Sequence, residues 1–144
     1  MENEKTKDLK ENAKQDNVKM VSLEQLIKKK LEKDGRKTAT KEIFVESLNA
    51  NITVKNPTDM QRIDFADKTK SGSYVDMFDG YSKLIYDCCP MLHSKELQDS
   101  IGVVYPYDTI SAIFDTDEIA DIGVQVLNFF DDEEENDVEE KVKN

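Results

Sequence analysis

Few residues of the sequence could support catalysis or metal binding, and three of these residues lie within six positions of one another. The only cysteines, Cys88 and Cys89, are adjacent, and the only histidine is His93. A zinc site needs several such ligands at suitable spacing, and two neighbouring side chains on a helix diverge by about 100°. A Cys-Cys-His zinc site is conceivable, but the sequence favours two buried, reduced thiols at a helix end and a histidine on the surface. We therefore expect neither a metal nor a cofactor.

Other catalytic arrangements are also missing from the sequence. A redox Cys-x-x-Cys motif is absent, and the five glycines are too scattered for a phosphate-binding loop. A Cys–His nucleophile would need a third group to orient His93, and none is evident nearby. The acidic run Asp131–Asp132–Glu133 lacks the alternating ligands and the glycine of a calcium loop. These absences predict a binding protein and not an enzyme.

The charge of the chain is negative and unevenly distributed. Residues 1–55 carry thirteen Lys or Arg against ten Asp or Glu, whereas residues 56–144 carry seven against twenty-one, which gives the net charge of −11. Such a surface repels phosphate backbones, so we expect no nucleic-acid partner. The run Lys28–Lys30 is interpreted as the solvated face of a helix. No stretch approaches the ~20 apolar residues of a membrane span, and no signal peptide is evident, which predicts a cytoplasmic protein.

Three segments are predicted from composition. Residues 1–20 are polar and charged and predict a flexible arm, and residues 131–144 hold eight acids and predict a disordered acidic tail. Residues 21–130 should form one compact domain. The expected fold is mainly α, a cluster of five or six helices with a small β-hairpin near the N-terminal end.

The first helix and the hairpin have clear local signals. Ser22 and Gln25 fit a capping box, and Gly35 can end the helix that follows. Leu23, Leu26, Ile27 and Leu31 should share one face of that helix. Two β segments, Glu42–Leu48 and Asn51–Lys55, are separated by a turn in which asparagine tolerates positive φ.

Four or five helices should follow the hairpin. Thr58 and Gln61 predict another capping box, with Gly72 near the end of that helix. The clearest helix spans about Ser73 to Cys88 and is stopped by Pro90. Its predicted core stripe is Tyr74, Met77, Phe78, Tyr81, Leu84, Ile85 and Cys88, whereas Tyr86 should be exposed or wedged between helices. Later helix starts are predicted at Ser94, Pro106 and Thr116.

The last helix offers one candidate for partner binding. Its predicted buried face consists of Ile119, Ile122, Val126, Leu127 and Phe130. Val124 lies about 140° from Ile119 and therefore off that face. An exposed valine can contact a partner, although a single one is also ordinary on a protein surface.

The order of these features resembles a known family. The β segment EIFVESLNANITVKNPTD leads into a helix, and LIYDCCPMLHSKELQD follows with an aromatic helix that ends at Cys-Pro. The string VVYPYDTISAIFDTDEIADIGVQVLNFF then supplies Pro-Tyr-Asp and Asp-Glu-Ile before a terminal helix. Over about residues 22–130 this is similar to the XkdN-like tail assembly chaperones of phages and phage-like contractile tail particles of Gram-positive bacteria.

The resemblance implies a function without catalysis. Members of such families are expected to bind the tape measure protein, a long and aggregation-prone helical protein. They are expected to keep it soluble and to help recruit tail tube subunits during tail morphogenesis. A protein of this kind should be absent from the mature particle or minor in it.

Two other classes of function remain compatible with the sequence. An acidic regulatory or inhibitory protein, for example a nucleic-acid mimic, would array negative charge along its folded surface. A structural component of the assembled tail would be abundant in purified particles, which an assembly chaperone would not be.

Overall fold

The computed structural model describes residues 19–131. Most of the predicted arm and nearly all of the predicted acidic tail lie outside this range. The described residues confirm a mainly helical fold with a two-stranded antiparallel hairpin near the N-terminal end. The helices are α1 (Leu23–Lys37), α2 (Asp59–Thr69), α3 (Tyr74–Cys88), α4 (Lys95–Ser100), α5 (Thr109–Ile113) and α6 (Thr116–Leu127), and the strands are β1 (Thr40–Val45) and β2 (Ala50–Lys55).

The chain divides into two compact units at Gly35. In the first unit, α1 begins with the expected capping box, in which the Ser22 N–H donates to Gln25 Oε1 at 2.9 Å. The helix runs two residues past Gly35, so Gly35 does not end it as we expected; basic residues in the last turn favour the continuation. No residue of α1 is buried. Its apolar residues are 51–79% exposed, namely Leu23, Leu26, Ile27 and Leu31.

The hairpin at the start of the second unit has one buried face. Ile43 pairs with Ile52, and these two residues lie in the core with Val45 and Val54. Phe44 points to the other face and is 56% exposed. Asn49 adopts the predicted left-handed conformation, with φ of 48°, after the 3-10 turn Glu46–Leu48. Alternation along the strands therefore puts one aromatic side chain on the outer surface.

Helix α3 lies at the centre of the second unit and packs against α2, α5, α6 and β2. Ile85 and Cys88 on its apolar stripe are almost completely buried, as predicted. Tyr74 is an exception, because its side chain is 94% exposed and not part of the core stripe. It is the first residue of the helix, and the packed residues of the stripe begin a turn later, at Met77.

Two glycines allow close contact between helices. A Cβ atom added at Gly123 in α6 would lie 2.3 Å from Cδ1 of Tyr81 in α3, so the Tyr81 ring occupies the space of a side chain. A Cβ atom added at Gly80 would lie 2.6 Å from the Thr69 side chain of α2. Helix α3 therefore contacts α2 and α6 closely at two positions that have no room for a side chain larger than the hydrogen atom of glycine.

Polar contacts attach α2 to the rest of the second unit. The Arg62 guanidinium donates to the Leu127 carbonyl at 2.5 Å and to Asn56 Oδ1 at 2.8 Å. Asp64 pairs with Lys83 of α3 at 2.6 Å, and this hydrogen bond lowers the pKa of the Asp64 carboxyl. Within residues 19–131, no helix has both the length and the hydrophobicity required to cross a membrane.

Candidate partner-binding surfaces

Cys88 and Cys89 are free and buried at the C-terminal end of α3, as the sequence predicted. Burial raises the pKa of the Cys88 thiol to about 12, and the charge of Asp87 adds to this effect. Burial also raises the pKa of Cys89. A reactive or metal-binding cysteine requires the thiolate, which this environment disfavours. The two thiols are therefore suited to packing.

His93 has the predicted surface position and a structural contact. Its Nε2 lies 2.6 Å from the carbonyl oxygen of Tyr86, and its ring lies against the Tyr86 ring at 4.3 Å. Tyr107 completes the cluster, because its ring packs on Tyr86 and its hydroxyl donates to Asp87 Oδ1 at 3.0 Å. In residues 19–131, no three or more His, Cys, Asp or Glu side chains are grouped to hold a metal ion. The aromatic cluster instead fixes the turns around Pro90 and Pro106 against the end of α3.

The first candidate surface is a groove of about 690 Å³, which we call the acidic groove. It lies between the end of the hairpin and the first two turns of α6. Phe44, Val45 and Ile122 give it an apolar part. Its five acidic lining residues are Glu46, Asp115, Asp117, Glu118 and Asp121. None of the described lining residues is basic, so the groove has a strongly negative potential.

Glu118 joins the two sides of the acidic groove. Its Oε2 accepts a hydrogen bond from the Ser47 hydroxyl at 2.5 Å, and its Oε1 accepts from the Asp115 backbone N–H at 3.2 Å. Both hydrogen bonds lower the pKa of the Glu118 carboxyl, and the one from Ser47 has the larger effect. Glu118 therefore stays ionised and holds the hairpin end beside the start of α6.

The second candidate surface, which we call the apolar groove, has a volume of about 520 Å³. Ile52, Leu92 and Phe114 are buried and form its floor. Leu48 and Met91 stand on its rim and are 53% and 70% exposed. Exposed, flexible methionine at a groove is typical of surfaces that adapt to apolar partners. The apolar groove is thus suited to an apolar helix face.

The two grooves adjoin each other at the hairpin end. Ser47 lines the acidic groove and Leu48 the apolar groove, and likewise Asp115 lines the first and Phe114 the second. Val124, the residue singled out in the sequence, is 41% exposed but lines neither groove. Its role in partner binding stays a prediction.

Sequence reasoning did not identify the residues that line the grooves. Each groove combines the hairpin end with segments about 40 or more positions away, and a periodic pattern along the sequence cannot reveal such a combination. Phe44 gave the one usable signal, because it alternates with Ile43 and Val45 and must therefore face away from the core. An aromatic residue on the outer face of a two-stranded sheet indicates an exposed apolar site.

The described residues thus define a small, mainly helical domain with two adjoining open grooves. Residues 6–143 match the model of one protein family, the phage XkdN-like tail assembly chaperone proteins. The match covers nearly the whole chain, so the chain belongs to this family. It also extends beyond residues 22–130 into the two terminal segments. Comparisons with curated proteins and with solved structures found no match.

Proposed function

We propose that this protein binds a tape measure protein, keeps it soluble and helps recruit tail tube subunits around it. Membership of the tail assembly chaperone family is the observation that carries the proposal. In this role the protein acts without catalysis in the host cytoplasm and is absent from the finished tail. The buried, protonated thiols of Cys88 and Cys89 are consistent with a role that needs no nucleophile.

The apolar groove is the surface that we propose for the client. An amphipathic helix buries its apolar stripe in a groove of this kind, which removes the stripe from water and from other client molecules. Leu48 and Met91 on the rim can contact such a helix, because both side chains are already exposed. The net charge of −11 keeps the loaded chaperone apart from other copies of itself and from aggregates.

Co-expression with the tape measure protein tests the proposal. The wild-type chain should increase the soluble fraction of the tape measure and should be recovered in complex with it. The proposal is wrong if solubility is the same with and without this protein and no complex is recovered. Abundance of the chain in purified tail particles would instead favour a structural component.

Three substitutions locate the client surface in the same assay. Met91→Asp puts a charge on the rim of the apolar groove and should abolish recovery of the complex. Val104→Asp is the matched control, because Val104 is 84% exposed and does not line the groove. Val124→Asp tests the residue proposed from sequence. Loss of binding in this variant alone would move the client surface to the outer face of α6.

A further inference from the structure

Helix α4 and its cap supply the polar residues of the apolar groove. Ser94 caps the helix, and Glu96 and Ser100 lie one turn apart within it, so that all three line the groove beside Leu97. Every other described lining residue is aliphatic, aromatic or methionine. Glu96 is the one charged residue among the described residues of the lining. An occupant of the groove therefore has apolar surroundings except along α4, where it lies beside a carboxylate.

The Glu96 carboxylate is available to a partner. Its side chain is exposed, and within residues 19–131 it forms no hydrogen bond or ion pair. Glu118 of the acidic groove differs, because two hydrogen bonds already hold its carboxylate. An unpaired carboxylate beside an apolar groove attracts a cation and repels an anion. The groove can thus distinguish between amphipathic helices by the charge at the border of their apolar stripes.

We propose that the client segment bound in the apolar groove is a basic amphipathic helix, with a lysine or arginine at the border of its apolar stripe that pairs with Glu96. This inference rests on the proposed function, because it specifies the chemistry of the client segment. A helix that buries its stripe among Leu48, Leu92 and Phe114 brings the residues at the border of the stripe over α4. A cation at that border meets Glu96 as a partner, whereas a carboxylate there meets a like charge.

The charge of the whole chain favours the same client. Residues 56–144, which supply most of the groove lining, carry seven basic residues against twenty-one acidic ones. The potential of such a surface attracts basic segments and repels acidic ones. Charge complementarity therefore acts at two distances. The overall potential raises the rate of encounter, and Glu96 selects the position of the cation within the groove.

Two synthetic helical peptides serve as probes for this selectivity. Both carry the same leucine stripe at helical spacing, and they differ only at one position on its border, which is lysine in one and glutamate in the other. Fluorescence anisotropy measures the affinity of the full chain for each labelled peptide. The wild type should bind the lysine peptide more tightly by about threefold or more, because an ion pair replaces a repulsive contact. Higher salt should reduce the ratio.

A matched pair of variants separates the local ion pair from the net charge. Glu96→Lys should reduce the preference for the lysine peptide by about threefold or more, since the repulsive contact is now with lysine. Asp99→Lys changes the net charge by the same amount on the same helix, but Asp99 is exposed and does not line the groove. This control should keep the preference of the wild type. Met91→Asp should abolish binding of both peptides, which places them in the apolar groove.

Several results would overturn the inference. Both peptides could bind the wild type equally or not at all, or binding could survive in Met91→Asp. Equal shifts in Glu96→Lys and Asp99→Lys would show that only the net charge acts. Circular dichroism and thermal melts check that each variant is folded.

The co-expression assay keeps this inference separate from the proposed function. Glu96→Lys should recover less tape measure protein than Asp99→Lys does. If the wild type and both variants recover the same amount, the client role stands and the pairing with Glu96 is wrong. If the wild type recovers no tape measure protein, the proposed function itself is wrong, whichever peptide the groove prefers.

Discussion

Helices α1 and α3 are both fifteen residues long, and both carry an apolar stripe of large side chains. In α3 the stripe packs in the core from Met77 onwards, and Ile85 has no exposed surface. In α1 every member of the stripe is at least half exposed. Amphipathic spacing therefore predicts that a segment forms a helix with one apolar face, but it does not say what covers that face. A buried stripe contributes to the stability of the domain, whereas an exposed stripe is available for a partner.

The two helices should differ most in how much stability is lost when one isoleucine of each stripe is replaced by alanine. Ile85→Ala should lower the free energy of unfolding by about 2–5 kcal/mol, because it leaves a cavity in the core. Ile27→Ala, at a position that is 58% exposed, should change it by less than about 0.5 kcal/mol. Urea denaturation measures both values. Equal losses in the two variants would show that the comparison is wrong.

Replacing a glycine by alanine should destabilise the structure around α3 but stabilise helix α1. Gly123→Ala should destabilise the domain by about 1–3 kcal/mol, because the methyl group overlaps the Tyr81 ring. Gly35→Ala meets no atom within 4 Å and should increase the helicity of α1, since alanine is favoured over glycine by about 1 kcal/mol. Thermal melts and far-ultraviolet circular dichroism measure the two effects. An unchanged melting temperature for Gly123→Ala would mean that α3 and α6 can separate at little cost.

The smallest effect concerns the buried thiol at the end of α3. The pKa of Cys88 is raised from 9.0 to about 12, so the folded state keeps a proton that the unfolded state loses above about pH 9. The contribution of this group to stability is complete below pH 9 and decreases as the pH rises towards 12. Between pH 8 and pH 10 the loss should be about 1 kcal/mol. Comparing the pH dependence of unfolding in the wild type and Cys88→Ala isolates this contribution. Identical pH dependence in the two proteins would contradict the burial of the thiol.

Much of the fold could be predicted because its signals are local. The capping boxes at Ser22 and Thr58 formed as expected, with Gln61 Oε1 accepting from the Thr58 N–H at 2.9 Å. Asn49 took positive φ, and α4 began directly after Ser94, where the helix start was predicted. Each signal depends on residues at most a few positions apart, so the sequence displays it directly.

The burial of individual side chains was harder to predict. Tyr74 matches the stripe of α3 in angle, but its position along the helix axis places it before the packed region. The angular position of a residue around the helix axis follows from its spacing in the sequence. How much of the helix length is covered by neighbouring elements depends on the tertiary structure. The same reason explains why the two grooves were not predicted, since each joins segments that are distant in sequence.

The adjoining grooves have a thermodynamic consequence. Ser47 and Leu48 are consecutive residues, yet they line different grooves, and Glu118 fastens this short turn to α6. An occupant that displaces the turn in one groove also moves the wall of the other. Binding events at the two grooves would then be linked, and linkage is reciprocal. An occupant of the acidic groove that raises the affinity of the apolar groove for the client would itself be held more tightly, by the same factor, once the client is bound.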